Sequence, residues 1–299
     1  MKILLNFNTE KIRNINSLGG IETLNYNLFK RIKKNHRNLI IEKKANSKFY
    51  DIIISSNDAK IFNKYKSKKK ILWLHNKLQL EKAVRKGQLL PILKNKIYAV
   101  FVSQYLNNAT SRFFNFKKKF VIPNFLDIKF ENIKMNYDRK PIIVWSVSRE
   151  RGLEETLFIW CEYIHKKHPN AEFHIFGINK VNKFYHNKNN IYFHGRVSKH
   201  ILIKYYKKSI ASICLGFDET FCLNAIESMS CGVPVLSLKK TALLSLIKNN
   251  INGFKVNNFQ QLANKICNLI LLNKLERIKL INSNKKYSKK FYFKNIKKK

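Results

Sequence analysis

The sequence predicts an α/β architecture of two parallel-sheet domains separated by a cleft. Three observations carry this. Short apolar runs alternate with longer amphipathic ones, the rhythm of βα units. The rhythm stops at a polar, aperiodic stretch, residues 130–140, and restarts after Pro141. And 299 residues with 45% hydrophobic content supply enough apolar surface for two cores.

In the first half the apolar runs predict strands at 2–7, 38–41, 51–55, 70–75, 99–103 and 120–122, with helices at 22–33 and 105–114. Residues 130–140 read as the interdomain linker. Beyond it, strands are expected at 142–146, 172–176, 191–194, 211–215 and 234–238. Leu153, Leu157, Trp160 and Ile164 recur at helical spacing and predict a helix. Glu154 and Glu155 near its start and Lys166 and Lys167 near its end suit the helix dipole. Stretches 260–272 and 274–287 read as terminal helices. The domains are thus expected at 1–135 and 141–280, with 281–299 as a basic, aromatic helix or tail.

Charge narrows the partners. Lys and Arg number 59 against 18 Asp and Glu, a formal +41. Such a surface attracts nucleic acid, anionic lipid or phosphorylated substrates. AT-rich coding, which favours Lys, Asn, Ile and Phe, accounts for it equally well. The five cysteines form no CxxC pair or zinc-type spacing, so no metal site is expected. The apolar run in MKILLNFNTEKI is too short for a signal peptide, and no run of 18 apolar residues is present, so no spanning helix is expected. The segment from Asn284, with Tyr287, Phe291, Tyr292 and Phe293 among lysines, suits either an anionic membrane surface or a helix packed on the protein.

Four places carry candidate chemistry. Gly19 and Gly20, in the turn before the first helix, permit close backbone approach to a phosphate. A Gly-Gly pair is also an ordinary turn, and neither GxGxxG nor GxxxxGK[ST] occurs. Arg149 and Arg151 open a helix, where positive charge opposes the dipole unless an anion is bound. Glu219 and Glu227 flank a helix start whose Phe221, Cys222 and Leu223 amides suit a phosphate, while carboxylates accept sugar hydroxyls. His75 closes an apolar strand. It reads as a ligand contact from the first domain or as a structural histidine.

Residues 219–235, ETFCLNAIESMSCGVPV, combine two glutamates separated by seven residues with a Gly-x-Pro turn. With GGIE (19–22), WLHN (73–76), VSQY (102–105), VIPNFLD (121–127), SRERGL (148–153) and YFHGRV (192–197), the chain resembles the GT-B-fold family 4 glycosyltransferases, the glycosyl transferases group 1 superfamily. The resemblance spans nearly the whole chain. It implies two Rossmann-like domains and retaining sugar transfer from a UDP- or GDP-linked donor. It implies that Glu227 holds the ribose, that Glu219 contacts the donor sugar, and that Arg151, with Arg149, holds the diphosphate. Gly20 and His75 would approach from the first domain. The family often has Gly where Cys222 and Phe125 stand, and a Gly-Gly and Glu where Thr241, Ala242 and Ser245 stand.

The implied partners are a nucleotide sugar, a glycan or lipid-linked acceptor and an anionic membrane surface at the cytoplasmic face, with no separate cofactor and no specific nucleic acid. Lipopolysaccharide or capsule synthesis is the implied setting. The alternatives are a nucleic-acid-binding protein, suggested by charge, and a catalytically degenerate member, suggested by the missing glycines. A phosphorylase or epimerase on the same fold is a further alternative.

Overall fold

The computed structural model describes residues 1–7, 20–36, 38–178, 185, 189–238 and 241–296. Gly19 lies outside them. The chain forms two compact units, Met1–Asn124 and Phe125–Lys299.

The first unit holds β1 (Lys2–Asn6), β2 (Ile40–Glu42), β3 (Phe49–Ser56), β4 (Lys66–Leu74), β5 (Ile97–Phe101) and β6 (Lys118–Val121) in one sheet ordered β2-β1-β3-β4-β5-β6. Every pairing is parallel. The second unit holds β7 (Ile142–Trp145), β8 (Glu172–Ile175), β9 (Ile191–Phe193), β10 (Ala211–Ile213), β11 (Val235–Leu238) and β12 (Gly253–Val256), ordered β12-β11-β10-β7-β8-β9 and again parallel. Each unit is therefore Rossmann-like. Helices cover both faces of such sheets, which is why strands at the centre of the second sheet are buried and mostly apolar: β7 (IIVW) and β11 (VLSL) are buried at every position.

Several expectations shift. Strand β12 went unpredicted because GFKV lacks a strand signal. Its glycine is there for contact: a Cβ on Gly253 would lie 2.2 Å from the Val235 carbonyl oxygen. The helix expected over 105–114 runs only Gln104–Ala109, since Thr110 is extended and its hydroxyl turns back to the Leu106 carbonyl. The Leu153–Ile159 helix continues through a π turn, Trp160–Ile164, where the Trp160 indole donates to the Asn189 carbonyl at 2.8 Å and its ring packs on Phe173.

The polar stretch 130–140 is packed structure of the second unit. Phe130 is fully buried, and the Arg139 guanidinium donates to the carbonyls of Tyr206 (2.6 Å) and Cys231 (2.8 Å). Aperiodic sequence had concealed a segment tied by side-chain-to-backbone bonds. The terminal segment also packs on the protein. After the Lys274–Ser288 helix, Phe291, Tyr292 and Ile296 are buried, and Phe291 meets Phe221 edge-on at 5.9 Å.

Candidate functional site

In an open parallel sheet, ligands bind where neighbouring strands send the chain in opposite directions, beyond the strands' carboxyl ends. In the second unit this point lies between β7 and β10. From β7 the chain moves toward β8 and β9; from β10 it moves toward β11 and β12. The loops leaving these strands carry Arg149, Arg151, Glu219 and Cys222.

The loops are tied together. Arg151 donates to the Phe217 carbonyl, and the Asn224 side-chain amide donates to the Ser146 carbonyl. Gly152 adopts φ +99, and a Cβ there would lie 2.6 Å from Leu215 Cδ1 and 2.7 Å from Phe217 Cε2. Only glycine fits both the backbone and the contact.

Arg151 Nε lies 3.9 Å from Glu219 Oε1, both half-buried. Burial raises the Glu219 carboxyl above the usual carboxylate range, and Arg151 opposes the rise. Arg149 is turned away: its guanidinium is exposed and bound to Glu154 at 2.5 Å. So Arg151 is drawn into the β7–β10 loop cluster, while Arg149 is held at the surface.

The helix Leu223–Ser230 starts at Cys222, which takes the left-handed conformation at φ +67. Thr241, a β-branched residue, also has positive φ, at +55. These are positions where the resembled family often has glycine, and here non-glycine residues take the glycine-type backbone. Such strain concentrates at functional sites. Thr241 Oγ1 donates to the Gly216 carbonyl at 2.5 Å and the Ala242 amide to the Glu219 carbonyl at 3.3 Å, tying these two residues to the Glu219 turn. Phe221 and Cys222 are buried, and Leu223 opens the helix.

Glu227 lies one turn further, 4% exposed. Both its oxygens accept from Lys199 Nζ, at 2.6 and 2.7 Å. Burial raises its pKa and Lys199 opposes the rise. Lys199 escaped the sequence reading. Its signal was present: Ser198 is a helix N-cap, and Lys199 follows two residues after HGRV.

His75 and Gly20 belong to the first unit. Gly20 is the first residue of the Gly20–Asn35 helix. His75 is 3% exposed, its ring packs on Trp73, and its amide donates to Asn57 Oδ1 at 2.8 Å. Burial pushes its pKa down to about 3, so it is neutral at physiological pH. His194, at the end of β9, meets His174 nitrogen to nitrogen at 2.8 Å, and His174 meets Glu172 at 2.8 Å.

The family model described as Glycosyl transferases group 1 matches residues 127–288, more than half of the chain and all of the loop cluster just described. The chain belongs to the glycosyl transferases group 1 family. Solved structures share the GT-B fold of this glycosyltransferase. Anabaena Alr3699/HepE in complex with UDP and glucose aligns with TM-score 0.71 at 17% identity, over 100% of this chain and 97% of that one. Sucrose-phosphate synthase from Thermosynechococcus elongatus aligns with TM-score 0.66 at 16% identity, over 93% and 77%. The pneumococcal O-GlcNAc transferase GtfA in complex with UDP and GlcNAc aligns with TM-score 0.65 at 14% identity, over 91% of this chain and 57% of that one. The sequence matches no curated protein.

Proposed function

We propose that this glycosyltransferase is a retaining enzyme that moves a hexosyl group from a nucleoside diphosphate donor, UDP- or GDP-linked, to a hydroxyl of a glycan or lipid-linked acceptor. The observation that carries the reading is the loop cluster at the β7–β10 switch point. There an arginine, a strained helix start, the half-buried Glu219 and the buried Glu227 are gathered on elements of one unit.

In this reading Arg151 and the amides of Phe221, Cys222 and Leu223 take up the charge that develops on the departing diphosphate. A cation and oriented amides in a partly desolvated pocket stabilise that charge without reorganising. Glu219, held near Arg151, contacts the donor sugar. Glu227, an acceptor-only group when ionised, holds the ribose hydroxyls. Arg149, Gly19, Gly20 and His75 complete the set the family resemblance assigns, His75 as a neutral hydrogen-bonding group. The arginine supplies the positive charge that a divalent metal supplies elsewhere, so activity is expected to survive chelation.

Solved relatives by fold hold UDP, which makes UDP the first nucleotide to test. Thermal-shift measurement against UDP, GDP, ADP and CMP and their sugar conjugates is the test. A selective upward shift, lost in Glu227→Ala, supports the reading. No shift with any nucleotide, beside salt-dependent RNA or DNA binding, replaces it with the nucleic-acid alternative.

The setting we propose is envelope polysaccharide synthesis, lipopolysaccharide or capsule, at the cytoplasmic face of a membrane. Among the described residues no helix is long and apolar enough to cross a bilayer. Support for peripheral contact comes from the first unit. The consecutive helices Leu80–Arg85 and Leu89–Lys94 expose Leu80, Val84, Leu90 and Leu93 beside Arg85, Lys86 and Lys94. Apolar side chains flanked by cations suit an anionic interface.

A further inference from the structure

The Lys199–Glu227 pair has unusual terms. Lys199 is the first residue of its helix, Lys199–Tyr206, where the dipole disfavours a cation. Glu227 is almost fully removed from water. The ammonium lies within 2.7 Å of both carboxylate oxygens, and the Phe130 ring lies 5.6 Å from the same nitrogen. The lysine side chain retains 31% exposure against 5% for the glutamate.

A carboxylate offers about four acceptor sites, two on each oxygen. Lys199 occupies one on each. One acceptor then remains on either oxygen, the pattern that two neighbouring hydroxyls require. We propose that Lys199 is a positioning residue for nucleotide recognition: it keeps Glu227 ionised and fixes its carboxylate plane, so that the two remaining acceptor sites take the vicinal 2′- and 3′-hydroxyls of a ribonucleotide. The proposal rests on the nucleotide reading above.

Among the described residues the other charged and titratable groups acting around Glu227 are few. Asp127, the N-cap of the Ile128–Glu131 helix, pushes its pKa up. Tyr206, from the lysine's own helix, is buried and shares a 2.7 Å hydrogen bond with Ser146 Oγ. Cys231, just beyond the Leu223–Ser230 helix, is a buried thiol whose pKa is pushed up to about 12 by burial. Neither Tyr206 nor Cys231 supplies positive charge. Removing the lysine therefore leaves a buried carboxyl beside Asp127, which takes up a proton and loses an acceptor site.

The experiment is titration calorimetry with UDP and dUDP, or GDP and dGDP, from pH 5.5 to 8.5. The proteins are wild type, K199M, K199R, E227Q and the K199M/E227Q double variant. Wild type should bind with a flat pH profile and prefer the ribonucleotide. K199M should bind roughly tenfold to a hundredfold more weakly at the acid end, the loss expected for a hydrogen bond to a charged group. It should recover as pH rises and lose its ribose preference where it is weak. K199R should stay near wild type, and the double variant should match E227Q. If K199M fails to fold because a buried charge is left unpaired, K199Q carries the same expectation. A K199M or K199Q profile equal to wild type, or uniformly weakened with no pH dependence, overturns the positioning role. Wild type that binds none of these nucleotides overturns the nucleotide reading itself, a separate outcome.

Discussion

Arg151 and Glu219 approach to 3.9 Å at the carboxyl edge of the second sheet, where the cation opposes the rise that burial imposes on the carboxyl. Arg151 also donates to the Phe217 carbonyl. The arginine is thus held in place before any ligand arrives. Arg151→Ala should lower kcat about 10²- to 10³-fold, as loss of one preorganised charge-stabilising group does elsewhere. Arg149→Ala should cost far less, because Arg149 is engaged with Glu154 at the surface. Steady-state kinetics with a nucleotide sugar that shifts the melting temperature checks both. Equal effects would remove the distinction.

Gly152 shows how tightly the two loops fit. Gly152→Ala places a methyl 2.6 Å from Leu215 and 2.7 Å from Phe217, at a left-handed φ. Overpacking of this kind costs about 1–3 kcal/mol, and the backbone adds about 1–2 kcal/mol more. The variant should melt several degrees lower and lose nucleotide binding. Chemical denaturation and the nucleotide-induced shift measure these separately.

His75 predicts an acid limb of stability. Its folded pKa, about 3, lies below the ordinary 6.5 because the ring is buried. Between those values the unfolded chain binds a proton that the folded chain does not. Stability therefore falls as pH drops from 6.5 toward 3, by up to ~1.4 kcal/mol per pH unit from this group. His75→Gln should flatten that part of the urea-midpoint curve while leaving the region above pH 7 unchanged in slope.

The exposed patch of the first unit predicts membrane contact. Val84→Glu with Leu90→Glu should abolish flotation with anionic liposomes at physiological salt while leaving the melting temperature within a degree or so, since both side chains are exposed. Phe291→Ala should do the opposite. That ring is buried, so its loss costs about 3–5 kcal/mol of stability. Flotation unaffected by the glutamates would discard the patch.

Much of this was legible in the chain. Alternating apolar runs exposed two parallel sheets because a strand segment covered on both faces is mostly apolar. SRERGL and ETFCLNAIESMSCGVPV marked the loops where the second sheet changes direction. Other features had no local signature. Strand β12 owes its place to a glycine pressed on the Val235 carbonyl, and the stretch 130–140 is held by Arg139 reaching carbonyls about seventy and ninety residues away.

The sequence by itself determined the fold class, the family and the residue types at the site. Periodicity and short motifs are local, and each is written in a few neighbouring residues. Only the tertiary structure decided that Arg151 turns inward while Arg149 is spent on Glu154, that Cys222 and Thr241 hold glycine-like backbone, and that Glu227 is paired with Lys199. Those outcomes depend on which groups burial brings within hydrogen-bonding range. Lys199 and Glu227 stand 28 residues apart in the chain, and no local pattern records their meeting.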